Sequence, residues 1–102
     1  MAAKLSEAKI KAIEGFDELL PKILELNPDV LAITADHSTP VAMKGHSFHP
    51  VPLLLHSRLD RRDRGAVFSE VECASGILGR GYSKELMPQL LACAGKLAKF
   101  GA

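Results

Sequence analysis

Residues 31–55 read LAITADHSTPVAMKGHSFHPVPLLL, and this stretch decides what kind of fold the chain makes. It opens and closes on short apolar runs, and the polar loop between them carries Asp36, His37, His46 and His49. Val30, Leu31, Ala32 and Ile33 run on without polar alternation inside a strand predicted over 29–35. Such a run suits a strand covered on both faces, as in a parallel sheet with helices packed on each side. A second strand is predicted over 51–55, introduced by Pro50 and Pro52, which suit a strand start or an edge position. Apolar strands that deliver a carboxylate and imidazoles to a loop at their ends are a common way for an α/β protein to build a metal or phosphate site.

The flanking segments read as support for that loop. Upstream, Ile10, Ile13, Phe16, Leu20, Ile23 and Leu24 recur at helical spacing among charged residues, so an amphipathic helix is predicted over 6–26. Ser6 is its expected N-cap, Pro21 either kinks it or starts a second helix, and Asn27-Pro28 ends it. Downstream, residues 58–65 form a charged loop, and 66–71 reads as a third strand or a one-turn helix, the helix being favoured. Ser69 would cap that helix, with Glu72 in the capping-box position. Gly76-Ile-Leu-Gly-Arg-Gly81 is a loop that needs unusual backbone angles or close approach to another element. A last helix is predicted over 84–100, capped by Ser83, with Pro88 in its second turn. The resulting expectation is an α/β fold with a short, mostly parallel sheet flanked by an N-terminal and a C-terminal helix.

Composition bounds what this unit does. With 102 residues, 47% of them hydrophobic, the chain makes one domain, 1–102, with a moderate core. Thirteen Lys and Arg against twelve Asp and Glu leave a formal charge of +1, so no global field draws nucleic acid or an acidic membrane. The arginines at 58, 61, 62 and 64 are interleaved with Asp60 and Asp63 and lack aromatic neighbours for base stacking. Cys73 and Cys93 lie far apart without CxxC spacing, and no signal peptide or long apolar run accompanies them. A cytoplasmic protein with reduced thiols is the expectation.

Chemistry concentrates in the central loop. Asp36 and His37 come directly after a strand, which gives both a fixed backbone from which to turn toward one point. A carboxylate with imidazoles and no thiolate favours a borderline or hard divalent ion such as Mn²⁺ or Zn²⁺. His46 returns to the same place if the loop folds back, and His49 follows three residues later. From spacing alone two readings stay open: a metal loop, or a turn capped by Asp36 with ordinary loop histidines. Lys44 is a candidate for a substrate carboxylate or phosphate, and Arg80, at the end of the glycine-rich loop, is a candidate phosphate contact. For each, a solvated or purely structural side chain is the competing reading.

The order of motifs adds a resemblance. Thr34-Ala-Asp-His-Ser-Thr-Pro40 followed by His46-Ser-Phe-His-Pro-Val-Pro52 resembles the C-terminal metal-binding motifs of cofactor-independent phosphoglycerate mutase, in its archaeal-type branch. Cys73-Ala-Ser-Gly-Ile-Leu-Gly-Arg80, Leu86-Met-Pro88 and the terminal Lys99-Phe-Gly-Ala102 are similar to the same branch. The resemblance runs from Ile10 onward. It implies a partial alkaline-phosphatase-like fold and a pair of divalent ions, usually Mn²⁺ or Zn²⁺, serving phosphoryl transfer through a serine nucleophile. Asp36 and His37 are implied as ligands of the ion that activates the serine, and His46 as a ligand of the other. Ser38 is not implied as that nucleophile and reads as a turn residue. Ala35, Ser75 and Ile77 depart from the residues usual in the branch.

In that family the serine and several metal ligands lie upstream of the part that this chain matches. The expectation is therefore a C-terminal portion of a mutase that interconverts 3-phosphoglycerate and 2-phosphoglycerate, inactive alone, working with an N-terminal partner chain and phosphoglycerate. Neither ion would reach four protein ligands here. The alternatives are a non-catalytic interaction module, as a homo-oligomer, and a metal-dependent phosphatase of the same superfamily.

Overall fold

The computed structural model describes residues 2–59 and 67–97, and orders its elements as α1 (Ala2–Glu25), β1 (Val30–Ile33), β2 (Leu54–Ser57), α2 (Glu70–Cys73), a 3₁₀ turn (Ser83–Glu85) and α3 (Leu86–Cys93). Two compact units are built from them, Met1–Pro28 with His37–His49 and Asp29–Asp36 with Pro50–Ala102. The predicted charged loop from residue 60 on, and the chain end from residue 98 on, lie outside the described residues.

The first unit holds α1 and the polar loop. Helix α1 starts before Ser6, which therefore sits inside the helix rather than capping it. Ala3, Lys4 and Leu5 are strong helix formers and carry the helix back past the serine. Pro21 is accommodated within one continuous helix. The end comes where Asn27-Pro28 predicts it: Leu26 N donates to Ile23 O and Asn27 N to Leu24 O, and Asn27 then takes φ 51°. Asn is among the few side chains that enter this left-handed region at low cost, and Pro28 cannot continue a helix. The apolar stripe is solvent-facing, with Ile13 60% and Phe16 45% exposed.

The second unit is built on β1 and β2, which pair antiparallel with Val30 opposite Ser57 and Ile33 opposite Leu54. This corrects the expected mostly parallel sheet. A parallel pair needs a crossover, usually a helix, and residues 34–53 contain none, so the second strand returns antiparallel. The second strand also begins later than predicted, at Leu54 rather than residue 51. Pro50 and Pro52 have no N–H to give a ladder, so pairing starts only after the last of them. Nor is β1 covered on both faces, since all four of its residues are half-buried. Among the described residues none is fully buried.

Helix α2 forms as the favoured one-turn helix rather than a strand: the Ser69 hydroxyl accepts from Glu72 N at 3.2 Å while its own backbone stays extended. In the glycine loop the left-handed position is Gly79, φ 68°. Ser83 begins the 3₁₀ turn instead of capping a helix, and α3 follows from Leu86 with Pro88 in its first turn, where no intrahelical donor is required. The helix stops at Cys93, short of the predicted residue 100. Gly95 takes φ 72°, its N–H donates to Ala92 O, and Lys96 N donates to Leu91 O at 2.8 Å, the paired bonds of a Schellman ending. Helix α3 packs on β1. The architecture is mixed α/β, and no described helix is long and apolar enough to cross a membrane.

Candidate functional site

Residues 37–49 are closed on themselves by an antiparallel bridge between Ser38 and Ser47. Ser47 N donates to Ser38 O at 2.9 Å, and the Ser38 hydroxyl donates to His49 O at 3.0 Å. Ser38, read as a turn residue, thus fastens the two ends of the loop. Antiparallel register at 38 and 47 sets Thr39 opposite His46. Within the loop a turn runs from Pro40, with Met43 N and Lys44 N both donating to Pro40 O and Lys44 taking φ 51°.

This fold-back brings His37 and His46 together. Their ring centroids are 3.5 Å apart with planes tilted by 46°. Thr39 joins them, its hydroxyl lying 3.2 Å from His37 Nδ1 and 3.1 Å from His46 Nδ1. Both histidines and Thr39 are exposed, so the pair is accessible. Lys9 of α1 donates to the carbonyl of Thr39 at 3.0 Å and fixes the backbone that carries the hydroxyl. Beside it lies an open depression of about 460 Å³ lined by Leu5, Lys9, Thr39, Pro40, Val41 and Lys44. Two lysines and a threonine among apolar lining residues suit a small anion with a carbon skeleton.

The remaining candidates are Asp36, Arg80, His49 and His56. Asp36 and Arg80 belong to the second unit, both exposed, Arg80 in the glycine loop. His49 is held by Ser47, Nδ1 to Oγ 2.8 Å, and stacks on Phe48 at 4.4 Å, while His56 sits on β2 opposite Leu31. Among the described residues no cluster of three or more His, Cys, Asp or Glu side chains is gathered. Sequence reasoning missed Thr39 and Lys9. A hydroxyl two residues after a histidine was the available signal for Thr39, and nothing local pointed to Lys9, thirty residues away.

Two imidazoles are suitable donors for a borderline divalent cation. A hydrogen bond at Nδ1 is the usual way a ligating imidazole is oriented to bind through its other nitrogen. The donor set in this loop therefore fits part of a cation site.

Comparison with known proteins agrees with this chemistry. A family model described as the metalloenzyme superfamily matches residues 3–92. Proteins named probable 2,3-bisphosphoglycerate-independent phosphoglycerate mutase are similar: that of Thermosipho africanus is 54% identical over 96 residues, covering 94% of this chain and 24% of the relative. That of Thermus thermophilus is 57% identical over 94 residues, covering 92% and 23%. The chain thus spans about a quarter of the length of the curated relatives it matches. The solved structure of the PH0037 protein from Pyrococcus horikoshii superposes with a TM-score of 0.81 at 38% identity, covering 90% of this chain and 29% of that one. With a matching model over nearly its whole length and a histidine pair suited to a divalent ion, the chain belongs to the metalloenzyme superfamily.

Proposed function

We propose that this chain is the C-terminal, metal-ligand portion of a phosphoglycerate mutase that interconverts 3-phosphoglycerate and 2-phosphoglycerate, and that it is inactive without the remainder of such a protein. The observation that carries the reading is the approach of His37 to His46, 3.5 Å between ring centroids, in a chain about half identical to a quarter of those relatives. In this reading His37 and His46 are imidazole ligands, and Asp36, the residue before His37, is a carboxylate ligand. Bound Mn²⁺ or Zn²⁺ would neutralise phosphoryl oxygens and activate the attacking hydroxyl. Lys44, beside Lys9 on the rim of the depression, meets the carboxylate or phosphate of the substrate. Arg80 is a second proposed substrate contact, resting on sequence alone. The fold is then a portion of an alkaline-phosphatase-like domain, in a cytoplasmic setting.

The exposed stripe of α1 supports a partner polypeptide over a free-standing enzyme. Ile10, Ile13 and Phe16 hold about half of their surface in water, an arrangement that costs hydrophobic free energy at ~25 cal/mol per Å² until something covers them. The upstream part of a mutase chain is the partner this reading assigns. The test is reconstitution: the chain alone should not turn over 3-phosphoglycerate, and mixing it with the upstream portion of a close relative in Mn²⁺ should restore turnover. Activity of the chain alone, or none in the mixture despite complex formation, would overturn the proposal.

A further inference from the structure

Thr39 occupies a position that a merely structural threonine has no reason to hold. Its single hydroxyl lies within hydrogen-bond distance of Nδ1 on both His37 and His46, at 3.2 and 3.1 Å. A hydroxyl has one proton to donate and two lone pairs to accept with, whereas each neutral imidazole carries its one proton on either Nδ1 or Nε2. The hydroxyl cannot donate to both rings at once. At least one histidine must carry its proton on Nδ1 and donate to Thr39, which leaves Nε2 of that ring with its lone pair.

Two arrangements satisfy both of these bonds. In one, Thr39 accepts from one ring and donates to the other, so the two imidazoles are opposite tautomers and one Nε2 bears a proton. In the other, Thr39 accepts from both rings and both Nε2 atoms present lone pairs. We propose that Thr39 is a positioning residue that ties the proton positions of His37 and His46 together: a ring that takes the hydroxyl proton at Nδ1 obliges the other ring to carry its own proton on Nδ1 and to offer Nε2 as a ligand nitrogen. The hydroxyl acts through the histidines and touches no ion itself. Its placement is built rather than incidental: Lys9 anchors the Thr39 carbonyl at 3.0 Å, Pro40 restricts the following backbone, and the bridge between Ser38 and Ser47 brings His46 opposite. As for what the coupled pair is for, the proposal rests on the reading of the loop as a cation site.

The experiment uses the 102-residue chain and two readouts. Imidazole ¹⁵N spectra, recorded where the rings are neutral, report the tautomer of each histidine. In Thr39→Val the Nδ1 resonances of His37 and His46 should both move, while that of His49, held by Ser47, stays in place and certifies the fold. Thr39→Ser should restore the wild-type pattern. In His46→Gln the tautomer ratio of His37 should change, a second route should the valine variant lose its fold. Unchanged ratios for His37 in Thr39→Val or in His46→Gln would overturn the coupling. In the other arm, Zn²⁺ titration should show ~10- to 100-fold weaker binding in Thr39→Val and near wild-type binding in Thr39→Ser, the scale of losing the group that orients a ligating imidazole. Equal affinity in wild type and Thr39→Val would overturn the role of Thr39 in presenting the ligands. Should the wild-type chain bind no Zn²⁺ alone or when reconstituted, the cation reading fails by itself, and the ¹⁵N comparison still decides the coupling.

Discussion

His37 and His46, nine positions apart in the chain, stand with their imidazole centroids 3.5 Å apart. The bridge between Ser38 and Ser47 makes that approach, because it holds together the two residues that directly follow the histidines. Replacing either histidine by alanine should therefore weaken Mn²⁺ or Zn²⁺ binding at least ~10-fold, the scale seen when a metal site loses part of its support. Calorimetric titration of His37→Ala, His46→Ala and a His56→Ala control measures it. His56 lies on β2 and its loss should leave the affinity unchanged.

Charge placed on the apolar stripe of α1 separates stability from assembly. Ile13 is 60% exposed, so Ile13→Lys should change the stability of the chain by no more than ~0.5 kcal/mol, as surface substitutions generally do. The same substitution should abolish reconstituted mutase activity, since a lysine would have to be buried where the partner polypeptide sits. Comparing thermal melts of the chain with activity of the mixture checks both halves.

The cap on α2 is a local prediction. Ser69→Ala removes the hydroxyl that accepts from Glu72 N, and capping losses of this kind cost about 1 kcal/mol. A four-residue helix has little else to hold it. The amide of Glu72 should exchange about fivefold faster in the variant, the factor that corresponds to such a loss. Hydrogen exchange followed by NMR reads it directly.

At the end of α3 the constraint lies in the backbone. Gly95 has φ 72°, a region that costs a side-chain-bearing residue roughly 1–2 kcal/mol. Gly95→Ala should destabilise the second unit by about that amount, and Gly95→Asn by less, because Asn tolerates this conformation. Denaturant midpoints of the two variants give the order.

Where local chemistry decides structure, the sequence was readable. Asn27-Pro28 ends α1, Ser69 caps α2 with the donor at Glu72, and the apolar run at 30–33 is a strand. Errors arose where a residue outside the local pattern prevails. Periodicity carried the last helix past Gly95, whose left-handed angle stops it. Pro52 delays β2, and the absence of a crossover helix turns the pair antiparallel. The return of His46 to the place of His37 was legible as what a folded-back loop brings about, but Thr39 and Lys9 were not. Their roles exist only once the loop has folded back and α1 has met it.

The two-stranded ribbon has a practical consequence for anyone handling the chain. Among the described residues β1 pairs only with β2, so its other side offers a row of backbone donors and acceptors beside the sequence Val-Leu-Ala-Ile. Such an edge is a template for a strand of any origin, and nothing charged within those four residues guards it. Concentrated solutions should therefore thicken with time through strand-by-strand accretion. The shelf life of the preparation is set by that edge as much as by the free energy of the fold.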